Sequence, residues 1–376
     1  MATARIGLLF STTGPYSALG RSALDGALMA VAEVNARNGL TLVPVCADPR
    51  GVPADYERLA AELLSRGDLR HIVGGITSWS RKDMIPVMER HGALLWYPCP
   101  YEGFECNDHV VYLGACPNQH LVPLIDHVLR KGHRRAFLVG SNCVWGWETL
   151  RVAREWFAGG QGGEVTSERY LPLGDTDCGH LIEEIAAQQP DLIVNSLIGP
   201  SSHAFMQALS RLDLPGGAAA GDQRQPDRGR SGHPGPCGGR DAVDRAWFET
   251  LDDLSTVAFR NRIAGHYGAS YRASCNFATA YTAVHLLARG LERAGHDDPR
   301  AVFEAVAGSP EDTVLGPVMI DPVTRHTSLI PRLAMAESGR VRIVDDPKIA
   351  LAPDPYLARV RAPVPPRATP NLKIVS

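Results

Sequence analysis

Short apolar runs and amphipathic stretches alternate through the first 210 residues. Arg5 to Phe10 predicts a strand, and the segment after it carries Ala23, Ala27, Ala30, Val31 and Val34 at helical spacing. Leu40 to Cys46 predicts a second strand and Tyr56 to Leu64 a second helix, followed by the strand His71 to Ile76 and a helix from about Ser80 to Arg90. Ala93 to Trp96 and Val110 to Leu113 complete this set. After Pro117 the rhythm restarts: helix His120 to Arg130, strand Ala136 to Gly140, helix Glu148 to Phe157 and strand Glu164 to Leu171, then helix Cys178 to Gln188 and strand Asp191 to Ile198. Such alternation predicts parallel sheets covered by helices, in two successive doubly wound units. A later helical block, Phe277 to Ala294, has the apolar residues to return to one unit, and the Pro-rich last 60 residues read as a cover and tail.

Composition narrows the classes. The 376 residues suffice for two or three folded units, and 44% hydrophobic with 21% charged residues is ordinary for a globular chain. Lys plus Arg 38 against Asp plus Glu 41 gives a net charge of -3 without a block of like charge, so no direct nucleic acid partner is expected. No apolar stretch approaches the roughly 20 residues that span a bilayer, so no membrane partner is expected either. The five-residue run Ile6 to Phe10 gives way to the turn-like Ser11 to Pro15, which offers no secretory core, and a cytoplasmic chain is the expectation. Eight cysteines, at 46, 99, 106, 116, 143, 178, 237 and 275, lack C-x-x-C spacing and read as free thiols, with no metal site expected.

In open parallel sheets, ligands gather where loops and helix N-termini converge at the carboxyl ends of strands. Those positions are Ser11, Thr12 and Thr13; Thr77, Ser78 and Trp79; Tyr97, Pro98 and Cys99; Asn142, Cys143 and Trp145; and Gly199 to Ser202. They are hydroxyls, aromatics and thiols without a charged side chain, which predicts a neutral, hydrogen-bonding small ligand. Each has a plainer role as well. Ser78 or Ser80 would cap the helix that follows, Tyr97 would be a core tyrosine, and one of Trp145 and Trp147 would pack a domain edge.

The usual nucleophile, phosphate, zinc and dinucleotide signatures are missing. A thiol hydrolase built on Cys99 or Cys143 with a histidine brought near in space stays open as a minor reading, because catalytic cysteines need only spatial partners.

The opening Ile6-Gly7-Leu8-Leu9-Phe10-Ser11-Thr12-Thr13-Gly14-Pro15-Tyr16 resembles type I periplasmic binding proteins of the branched-chain amino acid and urea group. Ser78-x-x-Arg81-Lys82-x-x-x-Pro86-Val87-x-Glu89-Arg90, with Leu94-Leu95-x-Tyr97-Pro98-x-Pro100-Tyr101-Glu102-Gly103-Phe104-Glu105, is similar to the cytoplasmic amide-sensing negative regulators of aliphatic amidase operons. The resemblance implies an α/β protein of two doubly wound lobes joined by three crossings, with no catalysis and no cofactor. Residues 1–117 plus about 247–313 would form the first lobe, 118–246 plus about 314–345 the second, and 346–376 the cover and tail. Ser78, Tyr97 and Cys99 would face the ligand from the first lobe and Cys143 and Trp145 from the second, with Thr77, Pro100 and Thr13 as further candidates.

The acetamide sensor of that family has threonine at the place of Cys99 and tyrosines at the places of Cys143 and Trp145. Thiols bond weakly, so the resemblance implies a different or bulkier neutral amide or urea-like ligand. It also implies an antiterminator-type regulatory partner and allows a homo-oligomer. The alternative is the substrate-binding receptor of an ABC uptake system for amides, urea or branched-chain amino acids.

Between Gly217 and Ala246 the alternation stops. Gly221 to Gly232 has Gly, Pro and Arg where the fold requires an apolar strand and helix. With one permitted choice of codons, advancing one base from Gly217 onward turns Gly217 to Gly232 into Ala-Pro-Pro-Pro-Val-Thr-Ser-Ala-Asn-Leu-Thr-Glu-Ala-Asp-Leu, a strand end followed by a helix start. Residues 217–246 are therefore expected to be frame-shifted, with the resemblance resuming at Trp247-Phe248-Glu249-Thr250.

Overall fold

The computed structural model describes residues 2–37, 39–159, 163–212, 218–221, 240–337 and 340–359. Its first half follows the predicted alternation: β1 (Ala2–Leu9), α1 (Ser17–Asn35), β2 (Leu40–Ala47), α2 (Pro53–Ser65), β3 (Leu69–Gly74), α3 (Ser78–His91), β4 (Leu94–Tyr97) and β5 (Val110–Tyr112). These strands form one parallel sheet in the order β2-β1-β3-β4-β5. A strand buried on both faces needs apolar residues at every position, and β4 (Leu-Leu-Trp-Tyr) is buried throughout.

The second sheet begins after a 3-10 turn at Pro117–Gln119. It is built from α4 (Leu121–Arg130), β6 (Arg135–Ser141), α5 (Val144–Ala158), β7 (Glu164–Leu171), α6 (Gly179–Gln188), β8 (Leu192–Ser196), α7 (Pro200–Leu209), β9 (Ala218–Gly221) and β10 (Arg240–Arg245). The chain then returns through α8 (Leu254–Tyr267) and α9 (Cys275–Ala294) to the first lobe, where Phe259, Phe277 and Val284 share a core with Ile6, Leu8 and Val73 of the first sheet. After α10 (Pro299–Glu304) and the ribbon β11 (Glu311–Thr313) and β12 (Gly316–Val318), β13 (Arg332–Glu337) and β14 (Arg340–Asp345) add antiparallel strands to the second sheet, whose order is β14-β13-β10-β9-β8-β6-β7. Two doubly wound lobes are thus joined by three crossings, as expected.

Three details depart from the sequence reading. The last crossing comes after about residue 329 rather than 314, because Leu315, Val318, Ile320 and Leu329 pack into the first lobe's core. Helix α5 begins at Val144, one turn before the predicted Glu148, because Gly146 lets the helix lie directly on the preceding strand; a Cβ there would stand 1.9 Å from the carbonyl oxygen of Ser141. Two strands, β9 and β10, also occupy ends of the segment expected to be frame-shifted, since a ladder is made by backbone groups and does not demand apolar side chains. The remainder, residues 222–239, lies outside the described residues, as does Cys237. Among the described residues, no disulfide joins any of the seven cysteines.

Candidate functional site

The site is assembled where the ends of β3 and β4 meet the start of α5. Gly75, with φ +82, follows β3 beside the ring of Tyr97; a Cβ would come within 3.1 Å of that ring, so only glycine permits the approach. The Tyr97 hydroxyl donates to the carbonyl of Ile76 at 3.1 Å, and the Cys99 thiol lies 3.5 Å from the carbonyl of Gly75. Both side chains are buried, and Pro100 is buried beside them.

Thr77, rather than Ser78 or Ser80, is the N-cap of α3. Its hydroxyl oxygen accepts the N–H of Ser80 at 3.1 Å, and the Ser80 hydroxyl accepts the N–H of Thr77 at 3.0 Å. Ser78 is thereby relieved of capping. Its hydroxyl donates instead to the Glu102 carboxylate. Helix geometry leaves the N–H groups of Ser78 and Trp79, in the first turn, without an intrahelical acceptor.

From the second lobe, Cys143 is the N-cap residue of α5 and Trp145 lies in its first turn, 1% exposed and stacked on His120 at 5.6 Å. Cys143, Trp145 and Ile198 share one apolar cluster with Tyr16, Ile76, Tyr97, Cys99 and Tyr101 of the first lobe. The lobes are therefore closed on one another. Of the predicted residues, Ser78, Tyr97, Cys99, Pro100, Cys143 and Trp145 are buried around this junction, and Thr77 supports it by capping. Thr13 stands apart: it is exposed, and its hydroxyl, like that of Thr12, donates to Asp48 at the end of β2.

The expectation of a site without charge is corrected by a cluster behind Ser78. Arg81, fully buried, donates to Glu105 at 2.6 Å and to Glu102 at 3.1 Å, and its guanidinium carbon lies 4.6 Å from the Tyr101 ring centre and 4.9 Å from that of Tyr97. Lys82, half-exposed, reaches Glu105 at 2.8 Å. Burial pushes the Glu105 carboxyl up, but Arg81 and then Lys82 outweigh it and hold the group down at about 2. Burial alone would lower Arg81, yet Glu102, Tyr97 and Glu105 keep it above its ordinary range. Strand ends alone could not reveal this cluster. The signal was the i, i+3 spacing of Ser78 and Arg81 on one helix face, with two carboxylates three apart in the Glu102 to Glu105 block.

Among the described residues no three His, Cys, Asp or Glu side chains gather to hold a metal ion, and no helix is long and apolar enough to cross a membrane.

A bilobal α/β chain whose lobes meet at a buried junction of this kind has the architecture of a class of binding proteins, and the sequence agrees. Residues 4–221 and 234–362 match the family model of the periplasmic binding protein domain, and the chain belongs to that family. The unmatched 222–233 falls inside the compositionally aberrant segment. The Leu/Ile/Val-binding protein BraC3 of Rhizobium johnstonii is 25% identical over 346 residues, covering 89% of this chain and 92% of the relative. The Leu/Ile/Val-binding protein homolog 3 of Brucella melitensis is 23% identical, covering 83% of this chain and 85% of the relative. Among solved structures, the solute binding protein of an ABC transporter from Rhodopseudomonas palustris HaA2, in complex with p-hydroxybenzoic acid, superposes with a TM-score of 0.83 at 22% identity, covering 95% of this chain and 100% of the other. LivJ from Streptococcus pneumoniae, in complex with isoleucine, gives 0.76 at 18% identity, covering 92% and 100%. These structures establish the fold.

Proposed function

We propose that this protein is the solute-binding receptor of an ABC uptake system, which closes its two lobes on a small organic molecule and delivers it unchanged. The observation that carries this reading is the junction itself: Tyr97 and Cys99 of one lobe and Cys143 and Trp145 of the other are buried together, as a hinge-closing receptor requires. The relatives named for leucine, isoleucine and valine support the same class. Calorimetric titration with branched-chain amino acids, hydroxybenzoates, aliphatic amides and urea tests it, and saturable one-site binding without turnover is expected. Ammonia release from an amide, abolished by changing Cys99 or Cys143, would instead support the thiol hydrolase.

The block from Ser78 to Glu105 favours a second reading, a cytoplasmic amide sensor that releases an antiterminator-type partner when its ligand binds. Neighbouring genes separate the two: permease and ATPase genes support the receptor, amidase and antiterminator genes the sensor. Cell fractionation makes the same distinction by compartment.

A further inference from the structure

Residues 346–355, which the sequence reads as the start of a cover and tail, run from one lobe to the other. They leave the second sheet after Asp345, the last residue of β14, and they end on the first-lobe loop, where the carbonyl of Pro355 accepts the N–H of Phe104 at 2.9 Å. A Cβ on Gly103 would stand 2.5 Å from that carbonyl oxygen, so the approach is close.

Between its two ends the segment is tied to all three crossings. Buried Arg332 donates to Asp346 at 3.3 Å, and also to the carbonyls of Leu315, at 3.2 Å, and of Ala246 on the second crossing. Leu351 pairs with Leu329 of the third crossing through two backbone bonds of 2.8 and 3.2 Å. Gln119, on the first crossing and 1% exposed, donates from its amide nitrogen to the carbonyls of Leu351 and Thr327, each at 2.9 Å. One side chain thus joins the first crossing, the third and the added segment. Asn118 beside it donates to the carbonyl of Ala352 and accepts the N–H of Asp354, both at 2.9 Å.

The segment is also stiff. Proline fixes φ at about −65° and holds the residue before it extended, so Ala352-Pro353-Asp354-Pro355 has little freedom to lengthen or fold. Rotation of the lobes about the crossings displaces the two ends relative to one another. A stiff segment stapled at its middle has little slack to follow, and each staple that breaks leaves buried polar groups unpaired. All of these bonds are made with the lobes closed on one another.

We propose that residues 346–355 form a fourth, non-covalent connection between the lobes, a strap that limits how far they open, with Gln119 as the positioning residue that staples it to the hinge. This goes beyond the receptor reading and holds for any solute.

The test is small-angle scattering on the full chain, stripped of solute by dialysis, for the wild type and two variants. Pro353→Gly combined with Pro355→Gly slackens the strap and removes no hydrogen bond, because proline has no N–H to donate. Gln119→Leu removes the staple at similar side-chain size. Both are expected to give a larger radius of gyration than the wild type while keeping a cooperative thermal transition. A proline variant that melts earlier yet scatters as the wild type does would make the segment a stabilising cover only, and overturns the proposal. If Gln119→Leu does not fold, the proline variant decides alone. No solute enters the measurement, so a failure of the receptor reading shows in the titrations instead and is not confused with a failure of the strap.

Discussion

The guanidinium of Arg151, on α5 of the second lobe, lies 4.7 Å from the ring centre of Phe104, on the first lobe. Glu148 and Glu155 hold Arg151 at 2.8 and 2.9 Å, and Phe104 is fixed by its N–H, which donates to the carbonyl of Pro355 at 2.9 Å. The loop that carries Phe104 also carries Glu102 and Glu105, so one short segment touches both the opposite lobe and the support of Ser78. A partly exposed cation–π pair is worth about 0.5 to 1 kcal/mol. Phe104→Ala should therefore weaken ligand affinity by about two- to fivefold, through the closed state alone. Calorimetry alongside the thermal transition checks this, and an unchanged affinity would show that the contact plays no part in closure.

Thr77 and Ser78 are neighbours with separable roles. Loss of the Thr77 hydroxyl should cost about 1 kcal/mol of stability by removing the cap of α3. Ser78→Ala should instead weaken binding by about tenfold or more, if a polar group of the ligand pairs with this hydroxyl as the receptor reading requires. Melting temperatures and dissociation constants of the two variants, measured side by side, distinguish them. A Ser78→Ala chain that binds normally would place the ligand elsewhere.

Acid should destabilise the chain in two stages. Burial pushes the His326 imidazole down from 6.5 to about 4, so the fold favours its neutral form. That stabilisation is complete above pH 6.5 and is lost as the pH falls toward 4, by up to about 3 kcal/mol. Glu105, held at about 2 against an ordinary 4.5, contributes stability above pH 4.5 that is lost as the pH falls through 2. His326 stacks on Tyr112 at 4.1 Å, so His326→Gln should be less stable at pH 7 but should lose less between pH 6.5 and 4. Melting curves at half-unit intervals of pH test the slope, and parallel curves for variant and wild type would contradict it.

The alternation of apolar runs made the whole first sheet, strands β6, β7 and β8 of the second and seven of the ten described helices legible in the sequence, because strands buried on two faces cannot be written any other way; α7, α8 and α10 were not read. Strand-end positions located Ser78, Tyr97, Cys99, Cys143 and Trp145. Charge near the site was not legible by that route. Arg81 and Glu102 reach Ser78 from a helix and from an irregular loop, and tertiary packing alone joins them. The early start of α5 was hidden for a similar reason: Gly146 lowers helix propensity, and only its packing on Ser141 shows why the helix includes it.

We propose that the run between β9 and β10 departs from the authentic reading frame. Its composition breaks the pattern on both sides, and the family match is interrupted over residues 222–233. Resequencing the gene is expected to show that the frame shifted by one base encodes an apolar strand end and a helix start. A confirmed gene whose shifted frame encodes neither would refute the proposal.

The receptor reading requires that a small solute close the two lobes through this junction. Small-angle scattering measures it most directly, on the full chain with and without a saturating solute whose affinity calorimetry has established. A smaller radius of gyration is expected with solute bound, as Trp145 and Cys143 come to rest against Tyr97 and Cys99. Superimposable profiles at proven saturation would contradict it.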